Sequence, residues 1–176
     1  MNITTINAHF HALSAAQNGL LDELKNICTS GLYQPLVGRI TTAANTNLLA
    51  IAAATGGQLA VLIWLVKRSG LPLDLTAQHN STLCHAVESG DFELVRWIVL
   101  ESGHPVDVTA ADIKHRNNRP GSEHAKIDEF LKTVSELHKA GVTIDQLQLN
   151  PALIDPDIKS MSEYMGTHVQ SKQKSL

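Results

Sequence analysis

Cys84 and His85 are the residues whose types most directly suggest chemistry: a thiolate nucleophile beside a general base. Adjacent residues on a helix point about 100° apart, which places the pair poorly for proton transfer. Nine histidines raise the question of a metal. Zinc sites require ligands at set spacings such as CxxC or HxxxH on one face, and neither pattern occurs. Glu88, Asp91 and Glu93 are acidic and close together, and read as a solvated rim rather than an acid/base pair. No GxSxG, Gly-rich phosphate loop or HExxH is present. These residues therefore point away from catalysis, and no cofactor is expected. The alternative is an enzyme whose site lies in the C-terminal part, where His115, His124 and His138 gather with Asp and Glu.

The elements that position these residues come from a duplication. Shifted by 33 residues, Asn47–Ala77 falls on Asn80–Ala110 with 11 identities in 31 positions. Unrelated segments would share about two. The identities include Asn47/Asn80, Gly57/Gly90, Trp64/Trp97, Ser69/Ser102, Gly70/Gly103, Pro72/Pro105 and Asp74/Asp107. Such a period implies stacked units rather than a closed globule. Trp64 and Trp97 fall where stacking between units would bury them.

In the second unit Asn47 reads as the cap of an Ala-rich inner helix, Leu48–Thr55, with Leu59–Lys67 as the outer helix. In the third unit the helices read as Ser81–Ser89 and Phe92–Leu100. Ala8–Gly31 reads as a divergent first pair: Phe10, Leu13 and Ala16 share an apolar face, Asn18-Gly19 breaks the pattern, and Leu20, Leu21, Leu24 and Ile27 resume it. Leu32–Asn45 is an insertion, a position where repeat proteins often bind. Thr109–His115 reads as a shortened inner helix and Arg116–Gly121 as a loop. From a Ser122 cap, Ile127, Phe130, Leu131, Val134 and Leu137 form an apolar stripe closed by Gly141. Asn150-Pro151 and Asp155-Pro156 match helix starts, and the end of the chain is polar.

Thr82-Leu83-Cys84-His85-Ala86-Val87-Glu88-Ser89-Gly90, then Leu94–Val99, Gly103 and Val106-Asp107, resemble an ankyrin repeat (TPLHxAAxxG, VVxLLL, then a hairpin finger). Cys84 takes the slot of the family histidine, and one extra residue precedes Gly70 and Gly103. The resemblance implies an all-α ankyrin-type solenoid over 1–150, with repeats at about 8–40, 46–78, 79–111 and 112–145, and a helical extension with a polar tail over 151–176. It implies a concave face made of inner helices and fingers, and a non-catalytic scaffold that binds a partner protein there. The partner contacts expected are Gln78, His79, Asn80, His85, Glu88, Asp112, His115, Arg116 and Arg119. Specificity should lie where the units differ, as at Ala52 against His85 and Thr55 against Glu88.

Formal net charge is -3 and no basic run occurs, so nucleic acid and anionic membrane are not expected partners. Residues 46–108 hold three Lys/Arg against six Asp/Glu, which favours a basic patch on the partner protein. Two cysteines in different units and the lack of a signal peptide pattern at Met1–Phe10 predict a cytoplasmic protein, monomeric when unbound. The resemblance also extends to ankyrin effectors that intracellular bacteria deliver into host cells.

Overall fold

The computed structural model describes residues 3–29, 42–109 and 122–149. The described residues form eight helices and no strand: α1 (Ile3–Gln17), α2 (Leu21–Thr29), α3 (Ala43–Thr55), α4 (Leu59–Lys67), α5 (Ala77–Ser89), α6 (Phe92–Leu100), α7 (Ser122–Lys139) and α8 (Ile144–Leu149). None is long and apolar enough to cross a membrane. The fold is all-α. The insertion Leu32–Asn45 is described only from residue 42, and the helix at Thr109–His115, the loop at Arg116–Gly121 and the extension over 151–176 lie outside the described residues, apart from Thr109.

Alanine sets the architecture. On α1, Ala12, Ala15 and Ala16 are buried; at the matching places on α3 stand Ala50, Ala53 and Ala54. On α5 the same places carry Leu83, Ala86 and Val87, also buried. Helix α3 packs against both α1 and α5, so α1, α3 and α5 form one row of inner helices. Each inner helix also packs on the helix that follows it: α1 on α2, α3 on α4, α5 on α6. Small side chains allow this approach, and Gly56 marks its limit. A Cβ built there would run into the Gln17 carbonyl oxygen at the end of α1.

The first helix corrects the sequence reading. Phe10 is 62% exposed, and the buried face is instead the alanine one. The contact with α3 is too close for a phenylalanine. Leu24 and Ile27 are buried as expected, whereas Leu20 is exposed. Trp97 is buried and Trp64 half-buried against the same core.

The residues shared by the two central units make the same hydrogen bonds twice. The Asn47 side-chain oxygen accepts from the Asp74 N–H (3.0 Å), and Asn80 from the Asp107 N–H (3.2 Å). Ser69 donates to the Leu65 carbonyl and accepts from the Leu71 N–H. Ser102 does so with Ile98 and His104. Asp74 accepts from the Thr76 N–H and hydroxyl, and Asp107 from those of Thr109. Each finger is thus tied to its own inner helix by one asparagine. Asn47 is not a cap: α3 begins four residues earlier, where the Thr42 hydroxyl accepts from the Asn45 N–H.

Successive units also meet at their turns. A Cβ on Gly19 would strike the Gln58 side chain, and one on Gly57 would touch Asp91. At Gly90, with φ +76, it would lie 2.7 Å from the His124 ring. Helix α7 therefore lies over the third turn as α6 lies over the second. Ile127, Phe130, Leu131, Val134 and Leu137 are all buried, and Phe130 meets Phe92 edge-on at 5.6 Å. Helix α8, which packs on α6, opens with a reciprocal cap: Thr143 and Gln146 each bond the other's N–H.

Two stability predictions follow from these contacts. Gly56→Ala keeps an ordinary φ of -86° but drives a methyl into the Gln17 carbonyl. It should cost about 1–3 kcal/mol, as overpacking does, in urea unfolding. Asn47→Ala and Asn80→Ala each strand one finger N–H and should each cost about 1–3 kcal/mol by the same measurement. A neutral result for both would remove the asparagine from its anchoring role.

Candidate functional site

The exposed side of the inner row is set by the helical period. Because Ala50, Ala53 and Ala54 face inward on α3, Leu48, Ala52 and Thr55 face outward. One period on, Ser81, His85 and Glu88 occupy the same places on α5. Between the C-terminal ends of α3 and α5 lies an open depression of about 560 Å³, lined by Thr55, Gly56, Gly57, His85, Glu88, Ser89, Gly90 and Asp91.

Both of its hydroxyls are already committed. Thr55 donates to the Ile51 carbonyl and Ser89 to that of Ala86. Asp91 uses one oxygen to cap α6 through the Leu94 N–H at 3.0 Å. The half-buried His85 places Nδ1 2.8 Å from the Ser81 carbonyl oxygen. A carbonyl only accepts, so Nδ1 carries the proton and Nε2 is left as the acceptor in the neutral ring. The depression thus presents an imidazole acceptor and two carboxylates, a set suited to receiving hydrogen-bond donors.

Charge is segregated between the two helix layers. The three inner helices contain no Lys or Arg, and their one formally charged side chain is Glu88. Lys25, Lys67 and Arg96 all sit on the outer helices α2, α4 and α6. Arg96 is paired with Glu93 (3.4 Å) and Glu101 (3.3 Å).

His85 and Glu88 come together in the depression, and Gln78 and His79 are exposed at the entry to α5. Asn80 is corrected to a scaffold residue: it is 7% exposed and its side-chain oxygen holds the finger. Asp112, His115, Arg116 and Arg119 lie outside the described residues. Asp91 lines the depression beside Glu88 and also caps α6, for which its place directly after a turn glycine is the signal.

The other chemical candidates separate. Cys84 is buried with its sulfur toward the His79 carbonyl, whereas His85 turns to Ser81. Burial pushes the Cys28 thiol above its usual range. On α7, His124 lies over the Gly90 turn, while His138 lines a second depression of about 280 Å³ with Val106, Val108 and Asp145. Their separation of fourteen positions corresponds to about 21 Å of helix. Among the described residues, no three His, Cys, Asp or Glu side chains are placed to hold a metal ion.

The fingers carry their own electrostatics. Burial lowers the His104 pKa, the Asp74 carboxylate opposes this, and the Lys67 ammonium adds to it. Lys67 itself donates to the Ser102 carbonyl of the next unit at 3.0 Å. The Thr76 hydroxyl and N–H lower the Asp74 pKa, and His104 contributes in the same direction.

No protein-family model matches the chain, and no curated protein or solved structure shows significant similarity to it.

Because the folded-state pKa of His104 is depressed, its contribution to stability is complete above the unfolded value of about 6.5. It is lost as pH falls through the folded value. Asp74 acts in the same direction, its contribution being complete above about 3.9 and lost as pH falls through its lowered value. The melting temperature should therefore drop between pH 7.5 and 5, as followed by circular dichroism. His104→Gln should flatten that part of the curve, and an unchanged slope in the variant would exclude His104 as its source.

Proposed function

We propose that the chain is a non-catalytic, ankyrin-type repeat module that binds a partner protein on the exposed face of its inner helices and fingers. One observation carries the reading. The inward positions stay small or apolar and buried in every unit, while the outward ones change from Leu48, Ala52 and Thr55 to Ser81, His85 and Glu88, and the last two help line an open depression with acceptors at His85, Glu88 and Asp91. A shallow, open surface suits a protein segment better than a small substrate, which needs enclosure. The scaffold would act by rigid display. Its helices hold the contact residues in place before binding, so little entropy is lost on docking. Inhibition, tethering and recruitment would all follow from the same contact.

The test is a paired substitution. His85→Ala with Glu88→Ala removes the two outward side chains of α5 that line the depression and leaves Leu83, Ala86 and Val87 in place. Affinity for a captured partner should fall by about a hundredfold, as for a pair of central contact residues, with the melting curve within a few degrees of the parent. Binding that survives the pair would place the interface elsewhere.

A further inference from the structure

The exposed face of the inner row has a polarity that the individual helices do not reveal. The turns fix the register: Gly19, Gly57 and Gly90 donate to the carbonyls of Ala16, Ala54 and Val87, so these three are equivalent, as are Ala12, Ala50 and Leu83 one helical turn earlier. The outward rows then read across α1, α3 and α5 in three lines. The first is Phe10, Leu48, Ser81; the second is Ser14, Ala52, His85; the third is Gln17, Thr55, Glu88. Phe10 (62%) and Leu48 (37%) are two of the three large apolar side chains exposed among the described residues, and they stand side by side in one line. At the opposite corner stand Glu88 and Asp91, with the His85 imidazole acceptor between. No Lys or Arg interrupts the face on any inner helix.

Scattered apolar side chains on a surface mean little, but two at equivalent places on adjacent helices form a patch. Water loses hydrogen bonds around such a patch, and a partner's apolar side chains would cover it. The acidic corner selects the rest of the occupant. A cationic side chain there meets two carboxylates and an imidazole acceptor, whereas an acidic one would be repelled. Packed helices lie about 8–10 Å apart, and seven residues of helix rise about 10 Å. Leu48 and Glu88 are therefore separated by about 14 Å, and Phe10 and Glu88 by about 21 Å. An extended chain covers these spans in roughly four and six residues.

We infer that this face takes a partner-protein segment with apolar side chains at one end and Lys or Arg about four to six residues away, in either chain direction. The inference rests on the proposed binding function and names the chemistry of its partner. Apolar anchors would supply affinity at the Phe10 and Leu48 corner, and the carboxylate corner would set orientation and reject acidic sequences.

The full chain should be panned against a displayed library of random segments roughly twice that span in residues. The expected pool is enriched in Leu, Ile, Phe or Trp paired at that spacing with Lys or Arg. A synthetic segment from the pool should bind about tenfold more weakly to Leu48→Ser and to Glu88→Arg, each removing one corner. Thr55→Arg, an exposed position at the centre of the third line, serves as the control for location. If Thr55→Arg abolishes binding but the pool lacks the apolar and basic pairing, the face binds protein and the inferred chemistry is wrong. If Thr55→Arg has no effect, the binding function assigned to this face fails. An empty pool overturns both.

Discussion

The close approach of the inner helices is the constraint on which the rest of this structure depends. Helices α1 and α3 meet through alanines, so their backbones come near enough that Gly56 has no room for a methyl group. That contact fixes the rotation of each inner helix about its axis. Once Ala53 and Ala86 are turned inward, the outward side chains are determined by helical geometry alone. The exposed face is a consequence of the packing. A larger residue on the alanine face would rotate or separate the helices and rearrange every outward row at once.

Packing alone does not position the fingers, which lack regular structure. Their geometry comes from polar side chains that act over short and long range together. Ser69 and Asp74 fold the segment locally, and Asn47 holds it from across the unit, 27 residues away. The same trio is found at Ser102, Asp107 and Asn80. Buried backbone N–H groups without acceptors are costly, so each of these side chains substitutes for a missing secondary-structure partner. This explains why these polar residues repeat as faithfully as the glycines.

Much of the architecture was legible because it was written twice. Helices α4 and α6 fall on Leu59–Lys67 and Phe92–Leu100, the expected spans, since glycine turns and dense apolar runs mark both ends. The stripe on α7 was legible for the same reason. Phe10 was misplaced because alanine reads as neutral in a hydrophobic pattern, yet here alanine is what fits the contact. Asn47 looks like a cap because an asparagine precedes a helical run, and Asn80 looks like a partner contact; the anchoring role of both is hidden because a hydrogen bond across 27 residues has no local signature. Helix α8 had a usable signal, the Thr143–Gln146 capping box, in a segment too short for periodicity to register. The outward face was only partly legible: the pairing of His85 with Glu88 follows from helix spacing, but the alignment of Phe10 with Leu48 requires the register of two helices.

The two central units reach the same asparagine anchor by different backbones, and the difference ranks the constraints. In α3 the residues leading to Asn47 are right-handed helix from Ala43 onward. In α5 the equivalent stretch, Gln78, His79 and Asn80, has φ of +53, +58 and +58. Left-handed geometry costs L-residues about 1–2 kcal/mol each, and asparagine tolerates it better than most. Despite this change, the Asn80 oxygen still reaches the Asp107 N–H, and Leu83, Ala86 and Val87 still face the core. The backbone has therefore yielded to the anchor and the packed face, not the reverse. Gln78 and His79 stay exposed on the strained segment, beside the fingers and next to the outward rows. The unit thereby presents different side chains at its entrance while its buried half keeps the geometry of its neighbour. Variation in the entering segment and in the outward positions can change the chemistry the face presents without disturbing what holds it together.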